Sequence, residues 1–159
     1  MNRRSFLYTT FWMSTIANTS SLDIHKQEFL LIDSVLKHMF DGTSLVPVYK
    51  NLRIIEFIKH TIYHSSYDIE IREFVLQGAK EFLGMYPQFI SSSHLQKEIY
   101  LRRFEDIPMG QNWLYRVQIL GFEAIYSSPV YGVNISCEYY HYIGAKWGEP
   151  LPKTRYIKI

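Results

Sequence analysis

The sequence predicts an all-α protein, a small bundle of about five helices followed by an irregular Gly/Pro-rich C-terminal segment. Three observations predict it. Apolar residues recur at intervals of three and four from Asp23 to Tyr126. Capping residues and glycine stops bracket several of these periodic stretches. The breakers gather at the end, where Pro129, Gly132, Gly144, Gly148, Pro150 and Pro152 crowd one short stretch. Regular helix does not run through chain that dense in Gly and Pro.

The 159 residues suit one domain, and the sequence divides them at residue 22. Residues 1–22 open with "MNRRSFLYTTFWMSTIANTSS", a basic start, a mildly apolar run from Phe6 to Ala17 and then small residues. That is the layout of an export signal. A dozen residues of helix reach only about 18 Å, against about 30 Å of hydrocarbon core, so the run is too short for a membrane span. Thr15-Ile16-Ala17 offers a small-x-small cleavage site. Arg3-Arg4, with Phe6 and Leu7 behind them, resembles the bacterial twin-arginine export motif. The resemblance implies a periplasmic destination and a cargo folded before crossing; a signal left uncleaved at this weak site would associate the chain with the membrane.

Residues 23–159 form the expected helical domain. Phe29, Ile32, Leu36 and Phe40 mark a first helix from Asp23, which Asp41-Gly42 closes. Residues 44–49 are a connector, because Pro47 disfavours helix at Val46. A second helix is expected from Lys50 to His64, with Ile54, Phe57, Ile58 and Ile62 on one face. Asp68 caps a third, whose inward residues are Ile71, Phe74, Val75, Gly78 and Phe82 and whose stop is Gly84. "YPQFISSS" reads as loop. Ser93 and Gln96 fit a capping box that opens a fourth helix to about Phe104. "EDIPMGQN" reads as a turn before a fifth helix with Trp113, Val117, Leu120 and Ala124 inward. Past Tyr126 only one helical turn is expected, near 137–142.

Composition excludes several functions. Lys and Arg are scattered in runs no longer than two and the net charge is only +2, so there is no concentrated basic footprint for nucleic acid. The single cysteine, Cys137, forbids an internal disulfide framework and a cysteine zinc knuckle. Cys137 can be an inert buried thiol, an intermolecular disulfide or, with His141 four residues on, a nucleophile. Tyrosine and phenylalanine together supply 23 residues, enough to fill a core and still leave tyrosines for a protein-binding surface.

Catalytic patterns are sparse. Glu56, His60 and His64 share the spacing of a helical metal ladder, but no HExxH is formed and a solvated helix face accounts for them. Glu138 and His141 have the spacing of a di-iron motif, which needs a second copy that the chain lacks. No phosphate-cradling glycine loop, nucleophile elbow or dinucleotide fingerprint occurs. The sequence therefore assigns no residue to catalysis, to a cofactor or to a metal.

"SSPVYGVN", residues 127–134, is the most unusual stretch. Pro129 ends the fifth helix, Gly132 lets the chain turn back, and Asn134 can bond its own backbone. Tyr131 is left on a rigid, non-helical surface. "LGFEAIYSSPVYGVN" and "YYHYIGAKWGEPLP" together resemble the C-terminal signature of the gluconate 2-dehydrogenase subunit 3 family. The chain keeps that signature's Gly121, Pro129, Tyr131, Gly132, Asn134 and Gly144, with Ser128 and Val133 where Asp and Gly are usual.

The resemblance implies a small, non-catalytic subunit. It would carry the twin-arginine signal, read by the export machinery, for a large FAD-dependent dehydrogenase, with a cytochrome c subunit bearing haem c as a further partner. The flavin would reside in the large subunit and none in this chain. Residues 127–159 would be the partner-binding tail, with Pro129, Tyr131, Gly132, Asn134 and Cys137 at the contact. Cys137 would then be placed for a disulfide to the large subunit. The alternative is a stand-alone periplasmic module that binds a small ligand in a tyrosine-lined cleft.

Overall fold

Helix α1 (Lys26–Phe40) is held by its apolar stripe: Phe29, Leu31, Ile32, Val35, Leu36 and Phe40 are all buried. The structure, a computed structural model, describes residues 25–40, 49, 52–128, 131, 133, 140, 141 and 144. Among these there are five α-helices and no strand, so the all-α expectation holds. Tyr49 lies between α1 and α2 and is buried. Its hydroxyl donates to the Asp33 carboxylate at 3.0 Å, which pins Tyr49 to α1.

Helix α2 (Ile54–Ile62) is shorter than the expected 50–64. Before it, Leu52 is buried and the Arg53 N–H points to the Val133 carbonyl at 3.5 Å, so this chain is used for packing rather than for a first helical turn. At the other end Tyr63 closes the helix and His64 lies beyond it. Helix α3 (Ile69–Met85) starts where expected: Asp68 Oδ1 accepts from the N–H groups of Glu70 at 2.7 Å and Ile71 at 3.3 Å. Gly84 is not its stop. The helix runs through Gly84, which is exposed, and ends when the Tyr86 N–H bonds the Phe82 carbonyl at 2.8 Å.

The expected loop "YPQFISSS" contains a short 3-10 turn (Phe89–Ser91) that drives Phe89 into the core. Helix α4 (His94–Glu105) opens on Ser93, whose hydroxyl accepts from the Gln96 N–H at 3.4 Å. Helix α5 (Pro108–Ile125) begins inside the stretch read as a turn. Proline suits the first helical position because its missing N–H has no intrahelical partner there.

Helix α5 is the centre of the bundle and touches all four other helices. Trp113 is fully buried and donates its indole N–H to the Val75 carbonyl at 2.8 Å. It can lie so close to α3 because Gly78 has no side chain to obstruct it. Around it, Phe82 meets Phe89 and Phe104 edge-on, each at 4.8 Å between ring centroids. Perpendicular rings favour one geometry, and fully buried rings fix it. No helix among the described residues is long and apolar enough to cross a membrane.

Candidate functional site

A groove of about 820 Å³ lies where the end of α2 faces the end of α5. The last turns of α2 supply Phe57, His60 and Thr61. The α2–α3 connection supplies His64, Ser66 and Tyr67. Glu123 and Ser127 come from the end of α5 and the residues just after it. Tyr131 closes the rim.

The chain after α5 is anchored by its own hydrogen bonds. The last carbonyls of a helix have no intrahelical donor. Here the Tyr140 hydroxyl donates to the carbonyls of Tyr126 at 2.8 Å and Ser127 at 3.2 Å. Ser127 is buried, and its hydroxyl bonds the Ala124 carbonyl at 2.6 Å. The Tyr131 N–H bonds the Ser128 carbonyl at 2.9 Å, and Val133 is buried. Anchored on both sides, Tyr131 still leaves 42% of its surface exposed. Its ring stands at 85° to that of Phe57, with centroids 6.2 Å apart, so the two rings form a corner.

The histidines of the groove do not form the metal ladder that their spacing allows. His64 lies past the end of α2, so the regular helical register does not extend to it. Its Nδ1 accepts the Ser66 N–H at 3.2 Å and lies 2.7 Å from the Ser66 hydroxyl. An Nδ1 that accepts leaves the neutral ring's proton on Nε2, where a metal would need a lone pair. Among the described residues no group of three His, Cys, Asp or Glu is arranged to hold a metal ion.

Burial raises the Tyr67 phenol above its usual value. Arg116 opposes this, and the negative charges of Glu123 and Asp68 add to it. Tyr67 therefore presents the groove with a neutral ring and a hydroxyl at physiological pH.

Of the residues that the sequence marked for a partner, Tyr131 is the one described, and it lines this groove. Arg3, Arg4, Phe6, Leu7, Pro129, Gly132, Asn134 and Cys137 lie outside the described residues. Sequence reasoning missed Tyr67, Thr61 and Glu123. Glu123 carries a signal in retrospect: it is an exposed carboxylate one residue before the buried Ala124 of the apolar α5 stripe. Phe57 was read as inward-facing. It is half-buried, packing against the core and also forming a groove wall.

No family model matches the chain, and neither the curated proteins nor the solved structures contain a match.

Proposed function

We propose that this chain is the non-catalytic small subunit of a periplasmic FAD-dependent gluconate or sugar dehydrogenase complex, which supplies the twin-arginine export signal and helps assemble the flavoprotein subunit. The observation that carries this reading is the presentation of Tyr131. An aromatic ring on a fixed backbone buries area against a partner at low entropic cost, and half-exposed tyrosines are common at interface centres. The flanking Ser127 and Val133 are buried, which keeps the ring's base fixed. The resemblance of "SSPVYGVN" and of the Arg3-Arg4 start to the family's two signatures supplies the partner class. On this reading oxidation occurs on the large subunit's flavin, and a cytochrome c subunit receives the electrons.

The test is a tagged pull-down from the periplasmic and membrane fractions of the native host, followed by an absorbance spectrum. A larger co-purifying protein with flavin bands is expected, and it should be lost when Tyr131 is replaced by Ala. Arg3→Lys with Arg4→Lys should hold both proteins in the cytoplasm. A colourless chain recovered alone would refute the reading. Cys137 adds a mass measurement under non-reducing conditions: a linked pair is expected, and a free thiol in the purified complex rules the disulfide out.

A second reading, a stand-alone periplasmic ligand-binding module, is favoured by the groove itself. About 820 Å³ is within the size range of small-molecule sites, and its mixture of rings and hydroxyls is typical of them.

A further inference from the structure

The groove's wall chemistry is selective. Phe57 and Tyr131 make a corner of two perpendicular rings, 6.2 Å apart between centroids. Tyr67 adds a third ring to the lining, and hydroxyls add hydrogen-bonding groups. Among the described lining residues, which also include His60 and His64, Glu123 is the one carboxylate. Arg116 acts on Tyr67 more strongly than Glu123 does, but it lines a separate cleft of about 360 Å³ beside Glu70, so among the described residues the groove's own lining supplies a carboxylate and no Lys or Arg. Aromatic faces are electron-rich and attract cations, most strongly where water is partly excluded. A carboxylate beside such faces adds attraction for a cation and repels an anion. A neutral ligand gains nothing from that charge.

We infer that the groove binds a small organic ammonium ion, with its cationic head in the corner of Phe57 and Tyr131 and its charge facing Glu123. The inference rests on the groove being a ligand site, which is the second reading above, and it adds the ligand's chemical class. A trimethylammonium head suits an aromatic wall because its methyl groups spread the charge over a ring face. The remaining length of the groove, with Thr61 and Ser66, accommodates a hydroxylated or otherwise polar tail.

The probes are choline and dimethylbutanol, its neutral carbon isostere, each titrated into the full chain by calorimetry and by amide NMR. Choline should bind with a Kd of about 1 mM or tighter, and dimethylbutanol at least about tenfold more weakly. Glu123→Gln should weaken choline by about tenfold and leave dimethylbutanol unchanged. Glu123 is exposed, so the variant folds as the parent does. Tyr131→Leu should weaken choline by about fivefold or more. Equal affinity for the two probes would overturn the ammonium assignment and leave the groove as a charge-blind ligand site. Binding of neither would overturn the inference, while a groove that takes a ligand of another class would still stand. Choline binding untouched by either variant would place the ion elsewhere and also overturn the inference.

Discussion

Gly78→Ala is the sharpest probe of how α3 meets α5. A Cβ on Gly78 would lie 2.6 Å from both Cγ and Nε1 of Trp113, and closer still to Cδ1. The indole cannot easily retreat. It is fully buried, stacked on Phe82 at 6.0 Å, and edge-on to Phe104 at 5.8 Å. Overpacking of this kind costs about 1–3 kcal/mol. Pushing the ring aside also strains or breaks its hydrogen bond to the Val75 carbonyl, and an unpaired buried N–H costs about 1–3 kcal/mol more. Alanine returns about 1 kcal/mol of helix propensity. The net loss is about 1–5 kcal/mol, set against a usual domain stability of about 5–15 kcal/mol. Gly84 in the same helix is the control, since a Cβ there meets nothing within 4 Å. Gly84→Ala should stabilise by about 0.5–1 kcal/mol. Urea unfolding followed by far-UV circular dichroism and by tryptophan fluorescence, with unchanged m-values, reads both. If Gly78→Ala proved as stable as the parent while Gly84→Ala gained, the close approach of the two helices would be refuted.

Three further outcomes follow from single contacts. Asp68→Ala removes the two cap bonds of α3 and should cost about 1 kcal/mol in the same urea assay, with Asp68→Ser recovering most of it. Tyr63 has a buried hydroxyl with no hydrogen-bond partner among the described residues, so Tyr63→Phe should be neutral or stabilise by up to about 1 kcal/mol; a loss of more than about 1 kcal/mol would mean the hydroxyl is paired. Glu98 is held below the usual carboxylate range by the hydrogen bond from His38 at 2.9 Å, with Arg102 assisting and burial opposing. A depressed folded pKa means that its stabilisation is complete above the ordinary 4.5 and lost as pH falls through the lower folded value. The parent should therefore lose urea resistance more steeply below pH 4.5 than Glu98→Gln, and parallel curves would sink the assignment.

The regular parts of the fold were legible because one pattern was enough to specify them. Phe29, Ile32 and Leu36 repeat at helical spacing on α1, and all are buried. Asp68 and Ser93 were readable as caps because a short side-chain oxygen before an apolar run has one favourable use. The errors lie where a local rule met a long-range one. Gly84 looks like a stop, yet α3 continues through it because the rest of its apolar face is already packed. Pro108 looks like a turn residue, but it sits at the first position of α5, where its ring costs nothing. Phe89 stands in a polar stretch with no period to mark it. Only the arrangement of Phe82 and Phe104 around it explains its burial.

The candidate site was legible in one residue and hidden in the rest, and the reason is geometric. Tyr131 could be singled out because Pro and Gly on either side end the α-helix before it, although the structure places it in a 3-10 turn rather than on the expected non-helical surface. Phe57, Tyr67 and Glu123 come from three different places in the chain and meet only after α2 and α5 have packed. That convergence also links the two proposals through a single ring. A partner seated on Tyr131 would cover the corner that Tyr131 forms with Phe57, where the ammonium head is placed. Two ligands that need the same surface must weaken each other by the same factor. Saturating choline should then reduce capture of the proposed flavoprotein partner, whereas dimethylbutanol at the same concentration should not. Capture indifferent to choline, in a chain shown to bind choline through Tyr131, would mean that the partner holds another face of the molecule. The resemblance in "SSPVYGVN" would then report how this chain ends a helix rather than how it holds a partner.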